Sequence, residues 1–224
     1  RVAKDWAFGF PGMSKSQAKA IAKSRRVSNP GCYPTGAIAL IKPLVDAGLM
    51  PADYPVTINA VSGYTGGGKS MIEAYETGKA PLFEVYGLGL EHKHVPEIQQ
   101  YSGLTRRPLF VPSVGNYAKG MLVSVPLHLD TLPGKPKPKD LEAALEAHFK
   151  GAKLVKVVKA DDASTKGGRI DALALNDTDM LELRVFANER HGQVVLMARL
   201  DNLGKGASGA AVQNIGLMLG VETH

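Results

Sequence analysis

Cysteine is almost absent from this chain: among 224 residues only Cys32 carries a thiol. One cysteine excludes an internal disulfide framework and fits a reducing compartment, so a cytoplasmic protein is expected. Long hydrophobic runs are missing too. No apolar stretch reaches the roughly 18 residues that a bilayer-spanning helix needs, which argues against a membrane partner. The opening Arg1-Val2-Ala3-Lys4-Asp5-Trp6 is too polar for a secretory signal. Aromatics are scarce, at 6%, and nowhere interleave with a basic stripe. The formal charge of +6 is dispersed rather than gathered in a block. No nucleic-acid partner is expected from these features; small phosphorylated ligands explain the charge as well as nucleic acid would, and a plain solvated basic surface is the alternative. Internal repeats and low-complexity segments are also lacking.

What is present has the balance of an ordinary folded domain, with 44% hydrophobic and 21% charged residues. Ser14-Lys15-Ser16-Gln17 has capping-box spacing, which predicts a helix over 14–24. Arg26-Val27-Ser28 reads as a short strand. Residues 35–47 are apolar on all sides and predict a buried helix, kinked at Pro43 and closed by Gly48. Residues 54–61 are β-branched and predict a strand, and 69–76 predict a helix after a glycine loop. Strands are expected over 109–114, 120–129, 154–158, 180–187 and 193–200, the last two as a hairpin around Asn188 to Gly192. A helix is expected over 138–150, where Leu141, Ala144, Leu145, His148 and Phe149 recur with helical spacing. Residues 159–179 are polar and predict a loop, and 206–220 predict a helix rich in small residues. The fold class is α+β: a mixed, largely antiparallel sheet from 54–61, 109–129 and 180–200, with helices 35–47 and 138–150 on one face.

Cys32 stands in Ser28-Asn29-Pro30-Gly31-Cys32-Tyr33-Pro34-Thr35-Gly36. Pro30-Gly31 predicts a tight turn and Pro34 suits a first helical position. The thiol is therefore presented at a helix N-terminus, where unpaired N–H groups and the dipole favour a thiolate. A lone thiol so placed is a candidate nucleophile; the alternative is an inert, buried cysteine.

Three further constellations bear on chemistry. Gly63-Tyr64-Thr65-Gly66-Gly67-Gly68-Lys69-Ser70 follows a strand, precedes a helix and makes an anion nest. It also matches G-x-x-x-x-G-K-[ST], so a P-loop nucleotide hydrolase is an alternative. That reading needs an apolar strand ending in Asp to hold Mg²⁺, and Leu127-His128-Leu129-Asp130 is the nearest. His92-Lys93-His94 could bind a metal or supply an acid/base partner for Cys32; no neighbouring His or Cys offers a third ligand, so no metal is expected. The segment Asp201 to Asn214, with Lys205-Gly206-Ala207-Ser208-Gly209, is a loop entering a helix with a first turn of small residues. It suits either a dinucleotide or close packing on a sheet.

Taken in order, Ser28-Asn29-Pro30-Gly31-Cys32-Tyr33-Pro34-Thr35-Gly36, Ala60-Val61-Ser62-Gly63-Tyr64-Thr65-Gly66-Gly67-Gly68-Lys69, His92-Lys93-His94-Val95-Pro96-Glu97-Ile98 and Lys205 to Asn214 resemble the N-acetyl-gamma-glutamyl-phosphate reductases. The Tyr-Thr-Gly-Gly-Gly-Lys form looks like the shorter subtype. The resemblance spans nearly the whole chain and implies the architecture of aspartate-semialdehyde and glyceraldehyde-phosphate dehydrogenases. It implies NADPH as cofactor, an acyl phosphate as substrate, a cysteine thioester as intermediate, and a homodimer or homotetramer. Cys32 would be the nucleophile and His94 the acid/base, with His92 second. Gly63, Gly206, Ala207 and Gln213 would contact the cofactor. Asn29 and Ser62 would contact the substrate, and Lys119 or Arg107 its anionic groups. A reductase of aminoadipyl or aspartyl phosphate is the nearby alternative, since motifs at the cysteine do not separate these substrates.

One departure is large. The family begins with a Rossmann domain, yet no G-x-G-x-x-G follows an N-terminal strand here, and residue 1 is Arg. The expectation is that roughly the first third is absent. Residues 1–31 would be the tail of a Rossmann α/β nucleotide domain and 32–205 the catalytic and oligomerisation domain. Residues 206–224 would be a helix packing back on the nucleotide domain.

Overall fold

The computed structural model describes residues 2–161 and 165–223. Chain order runs β1 (Ala7–Phe8), α1 (Gln17–Lys23), β2 (Val27–Ser28), α2 (Cys32–Asp46), β3 (Thr57–Gly63), α3 (Lys69–Glu76), β4 (Phe83–Val85) and α4 (Val95–Ser102). It continues with β5 (Leu109–Gly115), β6 (Met121–His128), α5 (Pro138–His148), β7 (Val155–Val157), β8 (Leu181–Asn188), β9 (Gln193–Leu200) and α6 (Gly209–Leu219). Seven strands form one sheet in the order β4-β5-β3-β6-β9-β8-β7. The β3/β5 and β7/β8 pairs are parallel and the other four are antiparallel, so the sheet is mixed and largely antiparallel. β1 and β2 pair separately as a short parallel ribbon.

Alternation along the strands decides which face is covered. Val123, Val125, Leu127, Val194, Leu196, Ala198, Leu181 and Leu183 point to the buried side, where α2 packs on β6, β8 and β9 and α5 packs on β7 and β8. This is the period-2 pattern of a half-buried sheet. α2 is the centre of the core: Leu40, Ile41 and Leu44 are fully buried, each contributing about 1.5–3 kcal/mol by removing apolar surface from water. Gly36 lets the helix lie close on the sheet, because a Cβ there would meet Val123 Cγ2 at 2.9 Å and Ala198 Cβ at 3.2 Å. The opposite face carries Val61, Val111, Leu122 and Met197, with Phe83 and Val85 at its margin, around a shallow hollow of about 380 Å³.

Several boundaries differ from the sequence expectation. The first helix covers only Gln17–Lys23. The expected box at Ser14 does not form because Gln17 Nε2 donates instead to Phe8 O, anchoring α1 to β1. α2 starts three residues before the expected position 35, at Cys32 itself. Gly31 is its extended N-cap (φ −68°, ψ 155°), and Pro43 lies within the helix. The expected helix 206–220 is split into a π-helical turn, Gly204–Ser208, and α6. Of the polar stretch 159–179, residues 162–164 lie outside the described residues. Its remainder is held over one end of the open sheet face by two buried arginines. Arg184 donates to Lys159 O at 2.9 Å, Arg199 donates to Asp171 O at 3.2 Å, and both donate to the Glu182 carboxylate.

Candidate active site

α2 begins at the cysteine because the preceding turn is tied down from elsewhere in the chain. The Gly31 N–H donates to Glu97 Oε1 of α4 at 2.8 Å, and Glu97 is buried. On the helix side, Thr35 Oγ1 donates back to Gly31 O at 2.9 Å. Gly31 is thus gripped on both its polar groups, and Cys32 occupies the first helical position, half-buried, with the positive end of α2 beneath it.

A cleft of about 470 Å³ opens over Cys32. Its walls are Tyr33, the glycine loop Thr65 to Gly68, Met71, Tyr86, His92 to His94, and Asn202, Leu203, Gly206 and Ala207. Four segments far apart in sequence therefore meet at the thiol. The π-helical turn brings Gly206 onto the cysteine: a Cβ at Gly206 would lie 2.9 Å from Cys32 Cβ and 3.3 Å from its Cα. Gly206 N–H donates to Asp201 O at 2.9 Å, and Ser208 N–H to Leu203 O at 2.7 Å. The Asp201 carboxylate accepts from Leu203 N–H and Asp177 N–H.

The two histidines lie side by side, their rings 4.8 Å apart and edge-on. His94 is the N-cap of α4 and is buried. His92 is half-buried against Tyr33, Tyr86 and Phe110. Burial, reinforced by the neighbouring Lys93 charge, holds the His92 imidazole below its ordinary value of 6.5. Tyr33 donates to Ser113 O at 2.9 Å and Tyr86 to the Tyr33 hydroxyl at 3.2 Å. Burial pushes both phenols above the ordinary tyrosine value, so both are neutral donors.

The other residues singled out from sequence are spread more widely. Asn29 sits just before the cysteine turn, where its Nδ2 donates to Ala207 O at 3.3 Å and its Oδ1 accepts from Asn214 Nδ2 at 2.7 Å. Ser62 is buried under the glycine loop, and a Cβ at Gly66 would lie 3.0 Å from its Oγ. Gly63 is outside the cleft; its N–H donates to Gly120 O, and the carbonyls of Tyr117 and Ala118 crowd it. Gln213 lies on α6 and accepts from Lys205 Nζ at 2.9 Å. Burial lowers that lysine to about 8 despite the nearby Asp179. Lys119 pairs with Asp177 at the surface. Arg107 donates to Leu90 O and Glu91, tying down the loop before the histidines.

Sequence reasoning missed Glu97, Tyr86 and Asn202. Asn202 is buried and joins three segments, accepting from Gly120 N–H at 2.9 Å and donating to Thr65 Oγ1 at 2.9 Å. An Asp-Asn pair ahead of a glycine-rich turn was the available signal for it. Glu97 had a weaker one, an acidic residue in the first turn of a helix with Pro96 at its second position.

The geometry also removes the P-loop alternative. β3 runs antiparallel to β6, so Asp130, beyond the end of β6, lies at the opposite end of the sheet from the glycine loop. It cannot share a metal with that loop.

Comparison with known proteins gives the family and the fold. The family model described as "Semialdehyde dehydrogenase, dimerisation domain" matches residues 32–202. N-acetyl-gamma-glutamyl-phosphate reductase 2 of Pseudomonas putida is 53% identical over 223 residues, covering 98% of this chain and 71% of its own. N-acetyl-gamma-glutamyl-phosphate reductase of Brucella ovis is 55% identical, covering 98% and 72%. The chain belongs to the N-acetyl-gamma-glutamyl-phosphate reductase family. Its fold is shared with solved aspartate semialdehyde dehydrogenases. The Francisella tularensis structure aligns with a TM-score of 0.70 at 12% identity, covering 97% of this chain and 71% of that one. Form II from Vibrio cholerae aligns at 0.68 and 16%, covering 97% and 69%. The chain's only thiol, both histidines and the small-residue turn converge in the cleft over Cys32.

Proposed function

We propose that this protein reduces N-acetyl-glutamyl 5-phosphate to N-acetyl-glutamate 5-semialdehyde with release of phosphate, the step named by its relatives in arginine biosynthesis, using NADPH. The observation that carries the reading is the convergence of Cys32, at the positive start of α2, with His94 and the glycine walls in one cleft.

Cys32 attacks the acyl carbonyl; a C–S bond forms, the C–O bond to phosphate breaks, and a thioester remains on the protein. A thioester accepts hydride far better than a carboxylate, which is why the covalent step is needed. NADPH, when bound, supplies that hydride. The walls beside Cys32 suit a flat ring: Gly66, Gly67, Gly68 and Gly206 carry no side chain and Ala207 only a methyl group. Gly206 and Ala207 would flank the ring, whereas Gly63 and Gln213 do not line the cleft. Cys32 then holds a tetrahedral oxyanion. N–H groups in the first turn of α2 are placed to stabilise its charge. His94 takes the thiol proton and exchanges it with the oxyanion; collapse breaks the C–S bond and frees the aldehyde.

The segments outside the large sheet support a three-part reading, with 1–31 as the tail of a nucleotide domain, 32–205 as the catalytic domain and 206–224 as a helix packing back. Residues 2–31 and 206–223 pack on each other, α1 against α6, with Asn214 Nδ2 donating to Gly9 O at 2.9 Å. α6 leaves Val212, Ile215 and Leu219 exposed, as expected of a helix that packs on a nucleotide domain. A second copy of the chain would cover the open, largely apolar sheet face, giving a homodimer or homotetramer. No helix among the described residues is long and apolar enough to cross a membrane, and a cytoplasmic location is part of the proposal.

The test is a substrate panel on the full chain, following NADPH formation from phosphate plus each of N-acetyl-glutamate, aminoadipate and aspartate semialdehydes. Preference for the first supports the reading. Preference for either of the others replaces the substrate while keeping the mechanism.

A further inference from the structure

The two histidines are not equivalent, and a single backbone contact separates them. The N–H of His94 donates to Nδ1 of His92 at 3.2 Å. A backbone N–H only donates, so His92 Nδ1 must be the bare, accepting nitrogen. In a neutral imidazole the proton then resides on Nε2. The ring cannot turn freely to exchange the two nitrogens, because it is packed edge-on against Tyr33, Phe110 and His94, with Tyr86 tilted beside it. Among the described residues no protein acceptor takes a hydrogen bond from Nε2, and the ring lines the cleft shared with Cys32.

We infer that His92 is a catalytic residue of a kind different from His94: a neutral imidazole whose Nε2–H is directed into the cleft as a fixed hydrogen-bond donor to the acyl oxygen while the Cys32 adduct is tetrahedral. This deepens the thioester reading and rests on it. His92 keeps its proton throughout; it stabilises developing negative charge and does not carry the proton that His94 exchanges. Its surroundings favour that role. Lys93 and His94 flank it on its own segment, Tyr33 and Cys32 face it from α2, and Tyr86 faces it from beyond β4. None of these is a resident carboxylate that would hold the ring protonated. Burial and Lys93 both oppose its charging, so the donor remains a neutral N–H near pH 7. A neutral donor pinned by a backbone group needs no reorganisation when the oxyanion forms.

The inference separates two substitutions. The side-chain amide of His92→Gln reaches about where Nε2 lies and donates an N–H; His92→Ala donates nothing. In the full chain, with the preferred semialdehyde and phosphate, His92→Ala should lower kcat by about 10²–10³, the usual effect of losing one oxyanion donor. His92→Gln should stay within about tenfold of the parent, and neither should move the pH midpoint of Cys32 alkylation by iodoacetamide. Equal losses in the two variants, or a shifted midpoint, would overturn the donor role. The tautomer has its own readout, independent of turnover and of variant folding. Proton–nitrogen correlation spectra of the ¹⁵N-histidine-labelled protein at pH 7 should show His92 protonated on Nε2 alone. A ring protonated on Nδ1, or on both nitrogens, contradicts the inference whatever the kinetics. Failure of the thioester reading is recognised separately, by turnover that survives Cys32→Ser.

Discussion

Replacing Gly206 with alanine is the sharpest test of how the cleft is built. The added Cβ would lie 2.9 Å from Cys32 Cβ, 3.1 Å from Asp201 O and 3.3 Å from Cys32 Cα. None of these atoms is the flexible end of a long side chain. Cys32 Cβ sits one bond from the backbone of the first turn of α2, and Asp201 O already accepts the Gly206 N–H. Something in the backbone must shift by several tenths of an ångström. Overpacking of this kind costs about 1–3 kcal/mol. Gly206 has no positive φ, so alanine would otherwise gain about 0.5–1 kcal/mol from helix propensity. The net expectation is a loss of about 0–2.5 kcal/mol. The larger effect should be on turnover: a displacement of about 1 Å at a reacting atom costs on the order of 10²-fold, so a shift of several tenths of an ångström should cost roughly tenfold. The assay pairs urea unfolding with kcat and the rate of Cys32 alkylation. Gly89→Ala is the control, because a Cβ there meets nothing within 4 Å, and it should leave all three unchanged. If Gly206→Ala proves as stable and as active as that control, the close approach of the π-helical turn to Cys32 is wrong.

Other expectations follow from the same geometry. His94→Ala should lower kcat by about 10²–10⁴, as for loss of a general acid/base, and raise the pH midpoint of Cys32 alkylation, because an imidazolium neighbour favours the thiolate; an unmoved midpoint would argue against the pairing. His92 and His148 are both held below 6.5, chiefly by burial, with Asp46 partly opposing the effect at His148. The unfolded chain therefore binds more protons as pH falls through 6.5, and stability should decline from pH 7 to pH 5.5. A urea midpoint that is flat over that range, or that rises on acidification, would refute the assignment. The open sheet face should be covered by a second copy in solution, so light scattering at micromolar concentration should give at least a dimer, and a monomer would count against that surface.

Much of the fold was legible because one face of the sheet is buried. Alternation marks β9 at Gln193–Leu200 without error, and a helix apolar on all sides could only be the core helix α2. Local rules failed where a distant residue took over a local bond. Helix α2 starts at Cys32 rather than at residue 35 because Glu97, 66 positions away from Gly31, accepts the Gly31 N–H. The Ser14 box is replaced by a bond from Gln17 to Phe8. α4 escaped notice because His94 caps it without a side-chain bond. The glycine-rich match at Gly63 to Ser70 looked like a phosphate cradle, but the Gly63 N–H is committed to Gly120 O, a pairing that depends on strand order. The cysteine and histidine motifs were visible as chemistry in the sequence; their meeting in one cleft, and the π-helical turn that presses Gly206 against Cys32, are tertiary facts with no local signature.

The central claim is a covalent acyl group on Cys32. It is tested most directly by mixing the full chain with the acyl phosphate while withholding NADPH, then following phosphate release and intact mass together. The account predicts a burst of one phosphate per chain and a mass gain of one acyl group, carried on the peptide that contains Cys32 and abolished in Cys32→Ser. Phosphate release that waits for NADPH, or a label on any other residue, would contradict it.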